Sequence, residues 1–131
     1  MQFNVLTMKP LNIVATSKTP LVFCDGDLGT VELAGMSYSE DTFVFYEPIF
    51  NWINEYLQNP NEVTNFNMKI RYFNTSSVKC LFDLLEMFSN LSKSGKKVNI
   101  NWYYDQEDEE MRDTGENFSN ILNCEFQLMQ N

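Results

Sequence analysis

The sequence predicts a single α/β domain that contains a mixed, partly parallel β-sheet, about three helices and an N-terminal β-hairpin. Segments in which apolar and polar residues alternate predict strands, and segments with apolar residues three and four positions apart predict helices. After one initial strand and a hairpin, the order is helix, strand, helix, strand, helix, strand. This alternation is typical of parallel strands that are joined by right-handed helical crossovers.

The N-terminal third predicts short strands and turns within one domain that spans residues 1–131. Residues 1–11 are expected to form a flexible N-terminal extension, and Asn12 to Thr16 form the first predicted strand. Leu21–Cys24 and Thr30–Ala34 flank the segment Asp25–Gly29, whose glycines suit positive φ angles. The pattern predicts a β-hairpin.

The first helix is predicted after residue 39 and is capped by Ser39, Asp41 or Thr42. Proline inside a helix removes a backbone hydrogen bond, so Pro48 predicts either a kink or a helix start near Glu47. Six apolar residues share one face at helical spacing: Tyr46, Ile49, Phe50, Ile53, Tyr56 and Leu57.

The second half continues the alternation of strands and helices. Strands are predicted at Phe66–Tyr72 and Val98–Tyr104, and a helix from about Val78 to Leu91 ends before Gly95. A weaker helix is predicted over residues 107–122, because Thr114 and Gly115 interrupt it. Three further residues indicate a last strand: Cys124, Phe126 and Leu128.

Composition and charge exclude several classes of function. The 131 residues include no histidine, which removes imidazole acid–base catalysis and histidine metal ligands. A net charge of −9 argues against binding to nucleic acid or to an anionic membrane. The N-terminal residues Met1–Pro10 do not resemble a signal peptide, and the three cysteines show no Cys-x-x-Cys spacing. We therefore expect a cytoplasmic protein with reduced thiols and no bound metal or cofactor, in which only carboxylates or lysine remain as groups for catalysis.

The main candidate site is the segment between the strand predicted at Phe66–Tyr72 and the helix predicted from about Val78. Asn74, Thr75, Ser76 and Ser77 place one amide and three hydroxyls where backbone N–H groups lack partners and negative charge is favoured. One interpretation is a helix cap, which contributes about 1 kcal/mol. The other is a phosphorylation site, because an added phosphate finds hydrogen-bond donors at this position. Residue spacing alone leaves both interpretations open.

A second candidate is the acidic run that precedes the third predicted helix. It consists of Asp105, Glu107, Asp108, Glu109 and Glu110. The first interpretation is an acidic helix start, where the helix dipole favours negative charge. A site for a hard metal ion and a catalytic pair of carboxylates remain as alternatives, since both depend on distances that the sequence does not give.

Several segments resemble the SiaC family of small bacterial phosphoproteins that regulate biofilm formation. The most specific segment is Tyr72–Lys79, with the sequence Tyr-Phe-Asn-Thr-Ser-Ser-Val-Lys, followed by Phe82–Glu86. The similarity runs from about Thr16 to Phe126 with matching spacing. The supporting segments are Thr19–Pro20, Gly35–Asp41 with Trp52 further on, and Val98–Asp105 with Trp102, Tyr103 and Tyr104.

The resemblance implies a fold and a mechanism. It implies a fold like the STAS domain of anti-sigma-factor antagonists and a role in signalling without catalysis. It also implies that a Ser/Thr protein kinase of the anti-sigma-factor type phosphorylates Thr75 and that a PP2C-type phosphatase removes the phosphate. We expect Ser76 and Ser77 to be mainly capping groups and secondary candidates for phosphorylation. The unmodified form is expected to bind and stimulate a diguanylate cyclase or another signalling enzyme, and so to raise cyclic di-GMP.

The resemblance also implies where a partner binds and where this chain differs from its family. The expected partner-binding residues are Asn74, Thr75, Ser76 and Ser77, together with Tyr38 and Glu40. Ser39 stands where the family commonly has proline, and Pro48 falls within a helix that usually has none. The alternative function is that of an anti-sigma-factor antagonist, which sequesters an anti-sigma kinase and thereby controls transcription.

Overall fold

The computed structural model describes residues 8–131, which form one mixed sheet with three helices. The six strands lie in the sheet in their order along the chain. The strands and helices, in chain order, are β1 (Leu11–Ile13), β2 (Leu21–Asp25), β3 (Thr30–Ser37), α1 (Thr42–Tyr56), β4 (Val63–Phe73), α2 (Thr75–Lys93), β5 (Lys97–Tyr104), α3 (Glu109–Leu122) and β6 (Gln127–Gln130).

The sheet combines an antiparallel and a parallel half, as the sequence predicts. Strands β1, β2 and β3 pair antiparallel, whereas β3 to β6 pair parallel. Each helix connects two neighbouring parallel strands in the same direction along the sheet. Because such crossovers are right-handed, α1, α2 and α3 lie on the same face.

The core lies between that face of the sheet and the three helices. Along β4 the residues Thr64, Phe66, Met68 and Ile70 are buried, and the residues between them are half-exposed. The opposite face carries polar side chains that bond across strands, as where Asn99 donates to Asn65 at 2.9 Å. One face is therefore apolar and covered, and the other is polar and open to solvent, which explains the alternation in the sequence.

Helix α1 begins at Thr42 rather than near Glu47, and it continues through Pro48. The N-cap residue, Asp41, makes no side-chain capping bond; instead the Ser39 hydroxyl accepts a hydrogen bond from the Asp41 N–H at 3.2 Å. Pro48 leaves the Val44 carbonyl without its helical donor. Both residues are exposed, so water can bond to that carbonyl and the helix need not end.

The N-terminal end of the domain begins earlier along the chain than expected. Leu11, which the sequence places in a flexible extension, is the first residue of β1. The Lys9 carbonyl accepts a 2.8 Å hydrogen bond from the indole N–H of Trp52, so this part of the predicted extension contacts the domain. Residues 1–7 of the extension lie outside the described residues. Strand β1 ends before Thr16, because Thr16 forms a turn in which its hydroxyl accepts from the Thr19 N–H at 2.9 Å.

The last strand also differs from its prediction. Of the three residues that indicate it, only Leu128 lies in β6; Cys124 and Phe126 precede the strand. Ser119 of α3 explains the difference. Its hydroxyl donates to the Cys124 carbonyl at 2.7 Å and accepts from the Phe126 N–H at 3.1 Å. These bonds hold residues 124–126 against α3, so β6 begins only at Gln127.

Candidate phosphorylation and partner-binding site

The candidate site lies at the edge of the sheet where the parallel strands end. Strand β4 ends at Phe73, and α2 begins at Thr75. Asn74 between them is the N-cap, with φ −86° and ψ 178°, and its side-chain oxygen accepts from the Ser77 N–H at 3.0 Å. The first two helical residues, Thr75 and Ser76, have no carbonyl one turn earlier in the helix to bond their N–H groups. Asn74 is therefore a helix cap. The surroundings of the Thr75, Ser76 and Ser77 hydroxyls determine which of them a kinase could reach.

The three hydroxyls at the start of α2 have different surroundings. Thr75 is exposed, and among residues 8–131 its hydroxyl has no hydrogen-bond partner. The Ser76 hydroxyl lies 2.8 Å from the Thr42 hydroxyl of α1 and 3.2 Å from the Asn74 side-chain oxygen. Ser77 is fully buried. Of the three, the Thr75 hydroxyl is the one that is both accessible and unbonded.

Ser77 belongs to a buried chain of hydroxyls. Ser37, at the end of β3, donates to Ser77 at 2.8 Å and lies 2.7 Å from the Tyr46 hydroxyl of α1. Because the single hydroxyl hydrogen of Ser37 is directed to Ser77, Tyr46 is the donor to Ser37. Burial raises the pKa of Tyr46 well above its usual range, and the bond to Ser37 opposes this only in part. A kinase therefore cannot reach Ser77 while this end of α2 is folded.

Ser76 is held from the first turn of α1. The Thr42 hydroxyl donates to the Ser39 carbonyl at 2.8 Å, so it can only accept from Ser76. The hydroxyl hydrogen of Ser76 is therefore shared between Thr42 and the Asn74 side chain. Since Thr42 and Ser76 are 34 residues apart, this bond fastens the start of α1 to the start of α2.

Tyr38 lies close to this edge, and Glu40 lies in the loop before α1. The rings of Tyr38 and Tyr72 meet edge to face, with centroids 5.8 Å apart. The Asn74 N–H donates to the Ser37 carbonyl at 3.0 Å, which joins the end of β3 to the cap of α2. Glu40 is exposed and has no hydrogen bond or ion pair among the described residues. Tyr38 thus contacts Tyr72, which precedes Thr75 by three residues, whereas Glu40 has no such contact with this segment.

The acidic run is confirmed as a helix start. Asp108 is the N-cap of α3 and accepts from the Met111 N–H at 3.0 Å, while Glu109 and Glu110 lie in the first turn. A carboxylate oxygen of Asp105 lies 3.7 Å from Nε of Arg71 of β4. Within residues 8–131, no group of three or more carboxylate or cysteine side chains is placed to hold a metal ion. The described residues also include no helix long and apolar enough to cross a membrane.

Sequence patterns did not identify several residues of this site. Ser37 and Tyr46 appear in the sequence as ordinary strand and helix positions, and Thr42 appears as one of three possible caps. Phe43 and Val44, which follow Thr42 along α1, are large apolar residues outside the buried face of that helix, and they are 63% and 73% exposed. Their position outside the helical apolar stripe was the one signal in the sequence that could have identified them.

Comparison with known proteins relates this chain to a family of regulatory proteins. The model of the SiaC family, described as a regulatory phosphoprotein, matches residues 13–131. An uncharacterised protein of Pseudomonas aeruginosa strain UCBPP-PA14 is 27% identical over 119 residues, which cover 91% of this chain and 93% of that protein. The match therefore includes nearly the whole domain.

Solved structures share the fold over almost the whole chain. SiaC of Pseudomonas aeruginosa superposes with a TM-score of 0.83 at 25% identity, covering 95% of this chain and all of that one. A chain from the crystal structure of the diguanylate cyclase SiaD in complex with its activator SiaC gives a TM-score of 0.86 at 25% identity. That match covers 92% of this chain and 99% of the other.

Proposed function

The chain belongs to the SiaC family of regulatory phosphoproteins, and we propose that Thr75 is the residue on which it is phosphorylated. The unphosphorylated form binds and activates an output enzyme of the diguanylate cyclase class, and the phosphorylated form releases it. The protein itself performs no catalysis. A Ser/Thr kinase of the anti-sigma-factor type adds the phosphate in the cytoplasm, and a PP2C-type phosphatase removes it.

The state of the Thr75 hydroxyl is the observation that supports this proposal most directly. A kinase must reach the oxygen that it modifies and must take up its proton. Ser77 is buried and Ser76 is hydrogen-bonded to Thr42, whereas Thr75 is exposed and free of such bonds among the described residues. Ser76 remains a secondary candidate, and Ser77 requires the start of α2 to unfold first.

The start of α2 also suits the phosphorylated product. The N–H groups of Thr75 and Ser76 have no helical partner, and the N-terminus of a helix favours negative charge. A phosphate adds about −1.5 to −2 charges near neutral pH together with three strong acceptor oxygens. It can therefore be accommodated with little change to α2, so the main effect is on what binds at this surface.

A phosphate on Thr75 is expected to weaken binding of a partner that covers this residue with apolar or acidic groups. The protein already carries a net charge of −9, and a dianion in the contact must lose its water. A hundredfold loss of affinity requires about 2.7 kcal/mol. One phosphate at the centre of a contact can supply that difference without a large conformational change.

The resemblance to SiaC supports the choice of output enzyme. SiaC is the activator of the diguanylate cyclase SiaD, with which it was solved in complex. The present chain shares that fold over 92% of its length, with the Asn74–Ser77 segment at the edge of the sheet. Transfer of the cyclase partner to this chain is part of the proposal.

Phosphorylation is tested by tandem mass spectrometry of the tryptic peptide that ends at Lys79, from protein isolated out of its native cell with phosphatases inhibited. Phosphate on Thr75 is the expected result. The Ser76→Ala variant is the control and should keep the phosphate on Thr75. An unmodified Thr75 with phosphate on Ser76, or no phosphate at all, contradicts the assignment.

Partner binding is tested by using Thr75→Ala as bait in the native cell and measuring the affinity of the recovered cyclase by calorimetry. Thr75→Ala is expected to bind as tightly as the unphosphorylated wild type, and Thr75→Glu at least about tenfold more weakly, a difference of about 1.4 kcal/mol. Equal affinity of all three forms would show that Thr75 does not control binding. Recovery of an anti-sigma kinase without a cyclase would favour the transcriptional alternative.

A further inference from the structure

Lys79 is a basic residue that lies one helical turn after Thr75. Thr75 is the first residue of α2, and both residues are exposed. Residues four positions apart on a helix are neighbours on its surface, with Cβ atoms about 5–6 Å apart. The lysine side chain is 68% exposed, so it is free to turn toward solvent-facing groups of the same helix. The ammonium group of Lys79 can therefore reach a phosphate on Thr75.

Two other basic residues of this edge of the sheet lie farther from Thr75. Arg71 is also four residues away, but through extended chain that places its Cα up to about 13 Å from that of Thr75, against about 6 Å along a helix. Its guanidinium faces Asp105 at the end of β5. Lys18 lies beyond β3, where its carbonyl accepts from the Tyr38 N–H at 2.9 Å. Lys79 is thus the basic residue best placed to reach a phosphate on Thr75.

Lys79 is held only weakly by its present partner, Asp83. The ammonium nitrogen of Lys79 lies 3.6 Å from a carboxylate oxygen of Asp83, one turn farther along α2. Both side chains are substantially exposed, at 68% and 43%, and exposed ion pairs contribute little to stability. The order is also the less favourable one, since such pairs are stronger when the acid precedes the lysine. Little free energy therefore opposes the departure of Lys79.

A phosphate on Thr75 is a better partner for Lys79 than Asp83 is. It carries about −1.5 to −2 charges near neutral pH, against −1 for a carboxylate. It precedes the lysine by four residues, which is the favourable order for an ion pair on a helix. It also lies at the N-terminus of α2, where the helix favours negative charge. Charge, order and position all favour the pair between the phosphate and Lys79.

We propose that Lys79 binds the phosphate on Thr75 and leaves Asp83 when it does so. This inference rests on the proposed function and adds to it the residue that holds the phosphate and an exchange of ion pairs along α2. In the unmodified protein Lys79 neutralises Asp83. In the phosphorylated protein Lys79 neutralises part of the phosphate charge, and the carboxylate of Asp83 is left without a basic neighbour.

The exchange carries the effect of phosphorylation farther along α2 than the phosphate acts by itself. Asp83 lies eight residues after Thr75, which is about 12 Å along the helix axis. Salt at physiological concentration screens charges over about 8 Å, so the phosphate acts on Asp83 only weakly. The departure of Lys79, in contrast, changes the immediate surroundings of Asp83. Phosphorylation therefore changes the charge of α2 at more than its first turn.

The first test measures the second pKa of the phosphate by phosphorus NMR, at low salt, in protein made with phosphothreonine at position 75, so that no kinase is needed. Lys79→Met keeps a long side chain and a good helix former but removes the charge. It is expected to raise this pKa by about 0.3, because the dianion loses the cation that stabilises it. Lys79→Arg should restore the wild-type value. Arg71→Met, the matched control, should stay within about 0.1 of wild type because Arg71 is farther away.

The second test follows the carboxyl carbon of Asp83 by carbon NMR. Its resonance is expected to move when Thr75 is replaced by phosphothreonine in the wild-type background, and to stay in place in the Lys79→Met background, where no lysine can leave. The acids Glu40 and Asp41 are present in every variant, so they do not contribute to these differences. Thermal unfolding of all variants should match wild type, because surface substitutions of this kind change stability little.

Each result supports or overturns the inference. If the phosphate has the same pKa in wild type and in Lys79→Met, or a higher one in Arg71→Met alone, Lys79 does not hold it and the inference is wrong. If Asp83 moves equally with and without Lys79, no exchange occurs and the inference is wrong. Either result leaves the proposed function standing when mass spectrometry finds phosphate on Thr75 in the native cell. An unmodified Thr75 there overturns the proposed function and this inference with it.

Discussion

Replacement of Gly115 by alanine tests how closely α3 packs on the sheet. A Cβ atom at Gly115 would lie 2.5 Å from Cδ1, 2.6 Å from Nε1 and 2.7 Å from Cγ of Trp102. Trp102 of β5 is fully buried, and its indole N–H donates to the Met111 carbonyl at 2.9 Å. The methyl group would therefore meet a rigid ring that is bonded to the same helix.

The size of the effect follows from the surroundings of the indole ring. Ordinary van der Waals contacts of a Cβ atom begin near 3.4 Å, so Trp102 or α3 must move by about 1 Å. Phe118, Phe126 and Phe73 lie around the ring, with centroids 5.7, 6.4 and 6.5 Å away. Overpacking of a core costs up to about 3 kcal/mol, and alanine regains about 1 kcal/mol of helix propensity over glycine. The expected net loss is about 2 kcal/mol.

Urea denaturation measures this loss directly, and a fall in melting temperature of about 8 °C should accompany it. Gly26→Ala is the matched control, because its Cβ meets Met8 at an ordinary 3.6 Å and its φ is not in the left-handed region. That variant should stay within about 0.5 kcal/mol of wild type. A Gly115→Ala protein as stable as wild type would refute the close packing of α3 on Trp102.

Two further predictions concern buried polar groups. Ser77→Ala leaves the Ser37 hydroxyl without its acceptor at 2.8 Å, so the free energy of unfolding measured in urea should fall by about 1–3 kcal/mol. Ser76→Ala should lower it less, because Ser76 is exposed. Equal losses in the two variants would contradict the buried chain of hydroxyls. Burial raises the pKa of the Cys24 thiol from its ordinary value of 9.0 to about 12, so the folded state keeps a proton that the unfolded state releases above pH 9. Because of this thiol, the free energy of unfolding should fall between pH 9 and 12 by up to about 1.4 kcal/mol per pH unit. If the free energy of unfolding of Cys24→Ala, measured in urea, falls as steeply with pH as that of wild type, the prediction is wrong.

The sequence by itself determined most of the secondary structure and the position of the candidate site. The alternation along β4 and β5 and the helical spacing in α1 and α2 are local signals, because burial of one face imposes a period on the chain. The junction of β4 and α2 was predicted for the same reason, and Asn74 is the N-cap there. The family resemblance rests on this same segment and agrees with the family that the chain was found to match.

Predictions that depended on the exact ends of elements were less successful. The sequence predicts a kink at Pro48 or a helix start near Glu47, but it cannot show that Val44 and Pro48 are exposed, so that water can bond to the orphaned Val44 carbonyl and α1 can begin at Thr42. Gly115 appears in the sequence as a weak point of α3, whereas in the fold it is the residue that allows the helix to approach Trp102. In both cases the structure depends on surroundings that the local sequence pattern does not show: solvent beside Val44 and the ring of Trp102 beside Gly115.

Only the tertiary structure decided which hydroxyl at the start of α2 is free. Thr75, Ser76 and Ser77 are consecutive and chemically alike, so no periodicity can rank them. Their ranking comes from Thr42, which is 34 residues from Ser76 along the chain, and from Ser37, which is 40 residues from Ser77. The sequence places these groups at helix and strand ends, but the parallel pairing of β3 with β4 and the packing of α1 on α2 bring them within hydrogen-bond distance.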